Sequence, residues 1–567
     1  MNKKKFKDCL YPVRPIADLR ELINSSASLF ASKPAFYVKD APGGKYRPIT
    51  YEKFKEDIDS LGTALVDMGF KGKKIALIGE NSYEWVVTYC AVANGTGVIV
   101  PLDKELHPGE INNLLERAKA AAVVYSKKMA SAVKDAAAGI DHIKETIVMT
   151  DLPGLIKKGR DLMTEGDDRF TSAEIDREAL CSLLFTSGTM GLAKGVMLSH
   201  RNLASNVFHM SKYVKIREDG VGLSVLPMHH SYEMTCDVFT GLYQGMAIAI
   251  CEGLKHIAKN MAEVKATVML SVPLVYESMH KKIWKQAEAA GKAGKMRKAI
   301  AISRMFKLYN NCPGIVKKLF KDIHAFTGGR MELFVAGGAA INPKVIEDFE
   351  AMGITMMQGY GMTECSPIIA TNTDRYSKAS AAGFIISGTE ARIENPDEAG
   401  IGELVCKSQS VMMGYYDDPA ETAKVLKDGW LSTGDYGYID KDGMLHISGR
   451  KKNVIITKNG KNIFPEELEY YLTQRPYILE AMAYGVEDEK SGDTIIKAGI
   501  YPDYDSLAAE KGELTEEEIK EIVKAEIDCA NEFMPAYKRV RRFEIRKTEF
   551  SKTTTKKIKR YSAENYN

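Results

Sequence analysis

Phe185-Thr-Ser-Gly-Thr-Met-Gly-Leu-Ala-Lys-Gly195 lies between two apolar runs, Leu183-Leu184-Phe185 before it and Val196-Met197-Leu198 after it. The pattern reads as strand, loop, strand. Glycines let the backbone turn sharply and bring N–H groups close to a ligand. The hydroxyls of Thr186, Ser187 and Thr189 add donors, and Lys194 adds one positive charge. Such a loop suits a polyphosphate, and a plain Ser/Gly turn between strands is the alternative. A Walker A loop is excluded by spacing. Lys194 follows Ala193 where that motif has glycine, and precedes Gly195 where it has serine or threonine.

Working outward, the first third of the chain alternates helix and strand signals. Phe54, Ile58, Leu61, Leu65 and Met68 form a helical stripe closed by Gly69. Ile75–Ile78 reads as a buried strand, Tyr83–Ala93 as a helix, 98–100 as a strand, 109–120 as a helix and Ala122–Tyr125 as a strand. Alternation of this kind predicts parallel βαβ units. Further strands are expected at Ala247–Ile250, at 268–270 and at 332–335, the last running into Ala336-Gly-Gly-Ala-Ala340. The lysine- and alanine-rich stretch 281–307 predicts one exposed helix. Beyond Gly449-Arg450-Lys451-Lys452 the pattern becomes compact α+β, with a capping box at Thr515-Glu-Glu-Glu518.

The chain has 567 residues, too many for one core, so two or more domains are expected. A net charge of +3 gives no whole-chain nucleic-acid footprint. Nine cysteines, an odd number with no Cys-x-x-Cys pair, fit a reducing compartment better than a disulfide framework or zinc site. No apolar stretch reaches the length of a membrane span. The expected location is therefore cytoplasmic, with weak peripheral association at a membrane surface left open. From Tyr537 to Arg560 eleven basic residues stand against two glutamates. That run is either a solvated face or a functional tail.

Gln358-Gly-Tyr-Gly-Met-Thr-Glu364, Leu431-Ser-Thr-Gly-Asp435, Ser448-Gly-Arg-Lys-Lys-Asn453 and Phe550-Ser-Lys-Thr-Thr-Thr-Lys-Lys-Ile-Lys-Arg560 are ordinary turns when taken singly. Taken in order with the opening loop, they resemble the core motifs of the acyl-adenylate-forming (AMP-binding) enzymes, from about Thr50 to Arg560. Ser271-Val-Pro-Leu-Val-Tyr-Glu277, the turn Gly337–Ala340 and Thr553–Arg560 resemble the long-chain fatty acyl-CoA synthetases within that superfamily.

The resemblance implies an α/β fold. A large multi-sheet N-terminal adenylation domain would span 1–449, a hinge 450–452, and a small mobile α+β C-terminal domain 453–567. It also implies a reaction: ATP adenylates a fatty acid, pyrophosphate leaves, and the acyl group passes to coenzyme A with release of AMP. Thr186, Ser187, Gly188, Thr189 and Lys194 would hold the outer phosphates. Glu364 would bind Mg²⁺, and Thr363 the α-phosphate. Gly337, Gly338, Ala339 and Tyr360 would frame the adenine, and Gly361 would belong to the same nucleotide site. Asp435 and Arg450 would hold the ribose.

Lys557, rather than the adjacent Lys556, aligns with the family's catalytic lysine, although Ser551 and Lys556 depart from the usual proline and glycine of that motif. His230, with His229 as runner-up, would lie beside the acyl carboxylate in Leu226-Pro-Met-His-His-Ser-Tyr-Glu233. Lys451 would be the hinge and Gly460 would line a pantetheine tunnel. ATP, coenzyme A and a fatty acid are the implied co-substrates, and a homodimer is implied by resemblance alone. The alternatives are an acyl–acyl-carrier-protein ligase, a medium-chain or aromatic acid–CoA ligase, and a regulator that binds acyl adenylate without turnover.

Overall fold

The computed structural model describes residues 11–186, 193–457, 462–488, 494–553, 557–560 and 562–566. The chain divides into two compact units, one of residues 1–390 with 406–431 and the other of residues 391–405 with 432–567.

The first unit is α/β, as the alternation predicts, and contains two mixed sheets. One runs in the order Gly414–Tyr415, Lys194–Ser199, Leu180–Thr186, Gly97–Leu102, Lys73–Ile78, Ala122–Tyr125, Glu145–Val148. The last five of these strands pair in parallel. Lys194–Ser199 is antiparallel to both of its neighbours, Gly414–Tyr415 and Leu180–Thr186, so the two strands that flank the opening segment form an antiparallel pair. The other sheet has a parallel centre, with Pro34–Lys39, Ala247–Ile250, Val221–Ser224, Val268–Ser271, Leu333–Ala336 and Thr355–Gly361 side by side.

The helices follow local chemistry. Tyr51–Asp67 starts where the Thr50 hydroxyl accepts from the Lys53 N–H, and buries Phe54, Ile58, Leu61 and Leu65. It ends at Gly69, whose φ of +84° suits a residue without Cβ. Ser82 caps Tyr83–Ala91, which is two residues shorter than the sequence pattern predicts. It passes into a π-turn, Val92–Thr96, where Gly95 at φ +140° ends the regular ladder. The single helix expected over 281–307 is two helices, Pro273–Ala289 and Ala293–Met305. Gly291 between them sits at φ +65° and breaks the run. Among the described residues no helix is long and apolar enough to cross a membrane.

In the second unit residues 435–439 pair antiparallel with 445–450, and a three-stranded sheet of Ile478–Glu487, Thr494–Pro502 and Val540–Ile545 follows. Leu468 and Leu472 of helix Pro465–Thr473, with Val523 and Ile527 of helix Glu516–Asn531, complete one core with Ala481, Ala483 and Ile500 of that sheet. The predicted capping box is present: the Thr515 hydroxyl accepts from the Glu518 N–H, and the Glu518 carboxylate accepts from the Thr515 N–H.

Candidate active site

In the first unit, Thr186 and Lys194 face each other as the last and first residues of their strands. The Thr186 hydroxyl donates to the Lys194 carbonyl at 3.4 Å. Ser187, Gly188 and Thr189 lie outside the described residues. The Lys194 ammonium is 2.7 Å from Glu421 Oε2 and stands 4.8 Å from the centre of the Tyr415 ring. The Tyr415 hydroxyl donates to Glu364 Oε1 at 2.9 Å. A lysine, a tyrosine and two carboxylates therefore converge beside the glycine-rich loop. Glu421 is held at a pKa of about 2, first by its hydrogen bond to Lys194 and then by Lys424. Tyr415 and Glu421 are the site residues that sequence reasoning missed. Gly414–Tyr415 pairs antiparallel with Lys194–Ser199, and the helix Pro419–Val425 carries Glu421 in its first turn.

The central parallel strands of the other sheet end together. Ala336 is paired with Gln358, and Leu270 and Ser271 with Val335 and Ala336. Gly337-Gly338-Ala339 thus leave the sheet at its carboxyl edge, where open α/β sheets bind ligands, while Gly359-Tyr360-Gly361 run on past that edge and pair antiparallel with Ile368–Thr371. The Gly337 N–H donates to the Ser271 carbonyl at 3.1 Å, and Gly338 is at φ +86°. The Tyr232 ring packs where a Gly337 side chain would stand, and a Cβ at Gly361 would strike the Pro367 carbonyl. Thr363 and Glu364 follow in a short 3₁₀ turn. The Ser231 hydroxyl lies 3.4 Å from Thr363 Oγ1, so the segment carrying His230 reaches the same edge.

The His229 and His230 rings lie against each other, tilted by 45° with centroids 4.1 Å apart. His229 Nε2 lies 3.6 Å from Asp103 Oδ2, and desolvation, with Lys104 second, lowers the His229 pKa to about 3. Its ring is therefore uncharged at neutral pH.

Behind this edge lies a narrow cavity of about 40 Å³ lined by Met210, Tyr232, Cys236, Leu270, Val335 and Met357, among other mainly apolar side chains.

In the second unit, Asp435 and Arg450 are cross-strand partners, with Arg450 Nε 2.9 Å from Asp435 Oδ1. The Asp435 side chain is buried and that of Arg450 is 42% exposed. The Asp435 N–H donates to Thr433 Oγ1 at 3.1 Å, which fixes the turn before it. Lys451 opens the 3₁₀ turn Lys451–Asn453 and pairs with Glu403 at 2.5 Å. Lys557 is tied to Thr553: the Thr553 N–H donates to the Lys557 carbonyl at 2.8 Å and the Lys557 N–H donates to Thr553 Oγ1 at 3.2 Å. Its pKa is lowered by loss of hydration first and by the Arg450 guanidinium second, while Asp435 opposes the shift. The residue as a whole keeps an exposed surface. Lys556 and Gly460 lie outside the described residues.

Lys194 and its neighbours in the first unit can meet phosphates, and the Asp435–Arg450 pair in the second can meet hydroxyl groups. The AMP-binding enzyme family model matches residues 24–416, and the AMP-binding enzyme C-terminal domain model matches 452–566. A chloroplastic long-chain-fatty-acid–[acyl-carrier-protein] ligase, AEE15 of Arabidopsis thaliana, is 25% identical over 84% of this chain and 76% of its own. Long-chain-fatty-acid–CoA ligase 5 of Mus musculus is 28% identical over 82% of this chain and 72% of its own. The crystal structure of the anthranilate CoA ligase AuaEII with anthranoyl-AMP superposes with a TM-score of 0.75 at 20% identity, covering 99% of this chain and 98% of that one. With the first family model alone spanning most of the sequence, the chain belongs to the AMP-binding enzyme family, the acyl-adenylate-forming superfamily that its motifs resemble.

Proposed function

We propose that this protein is an acid–thiol ligase that activates a long-chain fatty acid with ATP and transfers the acyl group to coenzyme A. The observation that carries this reading is the apolar cavity directly behind the glycine-rich strand ends, where Tyr232 both lines the cavity and packs on Gly337. An alkyl chain suits such a lining, because each buried methylene gains about 0.8 kcal/mol. The cavity is too small for a long chain as it stands. Met210 and Met357 are unbranched and adaptable, and can move aside to lengthen it.

A carboxylate oxygen leaves poorly, and adenylation turns it into a good leaving group. Two anions must meet, so the work is positioning and charge neutralisation. Thr186, Ser187, Gly188, Thr189 and Lys194 would take the outer phosphates. The lysine acts as a compact point charge that can follow the departing pyrophosphate. Asp435 would accept from the ribose hydroxyls with Arg450 holding it in place. Lys557 would offset the charge that builds up between the carboxylate and the α-phosphate. His230 would orient the carboxylate.

Glu364 fits a Mg²⁺ role. Tyr415 occupies its Oε1, and Mg²⁺ takes one or two carboxylates together with phosphate oxygens and water. Bound there, the ion would neutralise charge on the phosphate oxygens.

The test is an assay with fatty acids of graded length, ATP and coenzyme A, following AMP and thioester. Thioester formed from long-chain acids on coenzyme A supports the reading. Thioester formed only on acyl carrier protein, or only from short or aromatic acids, replaces it with the corresponding ligase. Absence of pyrophosphate release with every acid, despite ATP binding, replaces it with a non-catalytic binder.

A further inference from the structure

The crossover between the cavity-lining strands Val268–Ser271 and Leu333–Ala336 is a long helical excursion, and its outer face is unusual. From Ala289 to Lys321 the chain has nine basic residues and no acidic one. Lys292, Arg297 and Arg304 find acidic partners in Asp322, Glu288 and Glu347. The other six, Lys295, Lys298, Lys307, Lys317, Lys318 and Lys321, are exposed and make no ion pair with a described residue.

Among these lysines stand large apolar side chains in water. On helix Ala293–Met305 the inner face is satisfied: Ile300 is buried and the Ser303 hydroxyl donates to the Ala351 carbonyl at 2.7 Å. The opposite face carries Ile302 and Met305, with Phe306 at the helix end, at 48%, 74% and 60% exposure. The short helix Pro313–Leu319 repeats the pattern. Val316 is buried, while Ile315 and Leu319, one turn apart, are 57% and 48% exposed. Successive helices of the excursion pack on one another, so these residues belong to one structured surface. Scattered exposed apolar residues are ordinary, but a run of them framed by charge of one sign is a docking surface.

We propose that this face, residues 293–319, docks the protein on a bilayer containing anionic phospholipid. Apolar tips on a helical surface with lysines around them suit the interface between head groups and acyl chains. The lysine stems can lie along the apolar layer with their ammonium groups at the phosphates. A second copy of the chain is disfavoured as the occupant, because a symmetric contact would bring like charges together. The face also belongs to the crossover whose flanking strands line the apolar cavity. If the fatty-acid reading holds, the docked surface and the acyl pocket are two ends of one element; the docking itself does not depend on that reading.

Full-length protein is sedimented with vesicles of phosphatidylcholine alone and of phosphatidylcholine with an equal part of phosphatidylglycerol. The expected result is binding to the mixed vesicles, weak binding to the neutral ones, and release at high salt. Lys317→Glu with Lys318→Glu, and separately Met305→Ser with Phe306→Ser, should each reduce partitioning by about tenfold or more. Each variant is checked by its thermal unfolding midpoint, which should stay close to that of the parent. The proposal is overturned if the parent protein remains in the supernatant with both vesicle types, if neutral and mixed vesicles bind equally, or if well-folded variants bind like the parent. It is also overturned if the patch variants turn a dimer into a monomer, or if an acidic carrier protein binds the face while vesicles do not.

Discussion

The ammonium of Lys194 lies 2.7 Å from Glu421 Oε2, 227 residues further along the chain, so the lysine proposed to receive phosphate already holds an anion. Incoming triphosphate has to displace that carboxylate. Glu421→Gln should lower the KM for ATP in pyrophosphate exchange about two- to fivefold, the worth of a partly exposed ion pair. An unchanged or raised KM would mean that Glu421 positions Lys194 instead of competing for it. The pair also has a pH signature. The carboxyl of Glu421 is held at about 2, well below its ordinary value of 4.5. Its contribution to stability is therefore present above pH 4.5 and fades as the pH falls towards 2. Glu421→Gln should erase that part of the acid sensitivity.

Lys557 gives a kinetic pH prediction. Desolvation and Arg450 lower its pKa, and Asp435 raises it. If its positive charge is needed for adenylation, the alkaline limb of the kcat profile for pyrophosphate exchange falls below the pH at which an ordinary lysine titrates. Arg450→Gln should move that limb upward and Asp435→Asn should move it downward, whatever each does to the KM for ATP. Limbs that stay fixed in both variants would remove Lys557 as the titrating group.

Much of this was legible in the sequence because it is local. A glycine loop between apolar runs, the alternating helices and strands, and the capping box at Thr515 each depend on residues close in the chain. The charged company of Lys194 was not legible. Tyr415 reaches it only because Gly414–Tyr415 pairs with Lys194–Ser199, and no periodicity in either segment announces that pairing. Asp418 followed by Pro419 is a readable helix start, and the Asp418 carboxylate does accept from the Glu421 N–H. It identifies a helix without saying what the helix faces. The break at Gly291 went unread because lysine and alanine on either side carry the helical pattern straight through it.

Glu233 and Asp237 are neighbouring carboxyl groups buried in the turn Tyr232–Phe239 behind the cavity wall, and the Ser224 hydroxyl donates to Glu233 at 2.5 Å. Burial is the main cause that raises both, Asp237 to about 7 and Glu233 well above its ordinary range. A raised acid favours the folded state most at low pH, where both states are protonated. As the pH climbs from about 4 to 7 the unfolded chain releases its proton first, and stability falls. Asp237→Asn keeps the size and removes the titration. It should raise the unfolding midpoint at pH 8 by several degrees, raise it less at pH 5, and change it little below pH 4. A midpoint lowered equally at both values would show that the carboxyl serves packing or hydrogen bonding and not a costly buried charge.

Lys451 permits a test of whether the second half-reaction needs a backbone rearrangement there. It is the first residue of the turn Lys451–Asn453, and Arg450 before it is extended at φ −83°, ψ +131°. Extended geometry is what a residue preceding proline prefers, and the first position of a helical turn tolerates proline. Lys451→Pro should therefore fit the conformation seen here and resist others. Pyrophosphate exchange should stay within about twofold of the parent, while thioester formation from pre-made acyl-AMP falls by about tenfold or more. Lys451→Ala removes the pair with Glu403 without fixing the backbone, so it separates loss of that contact from loss of movement. It should leave both half-reactions close to the parent's. Equal losses in both half-reactions for Lys451→Pro would rule out a conformational switch at this residue.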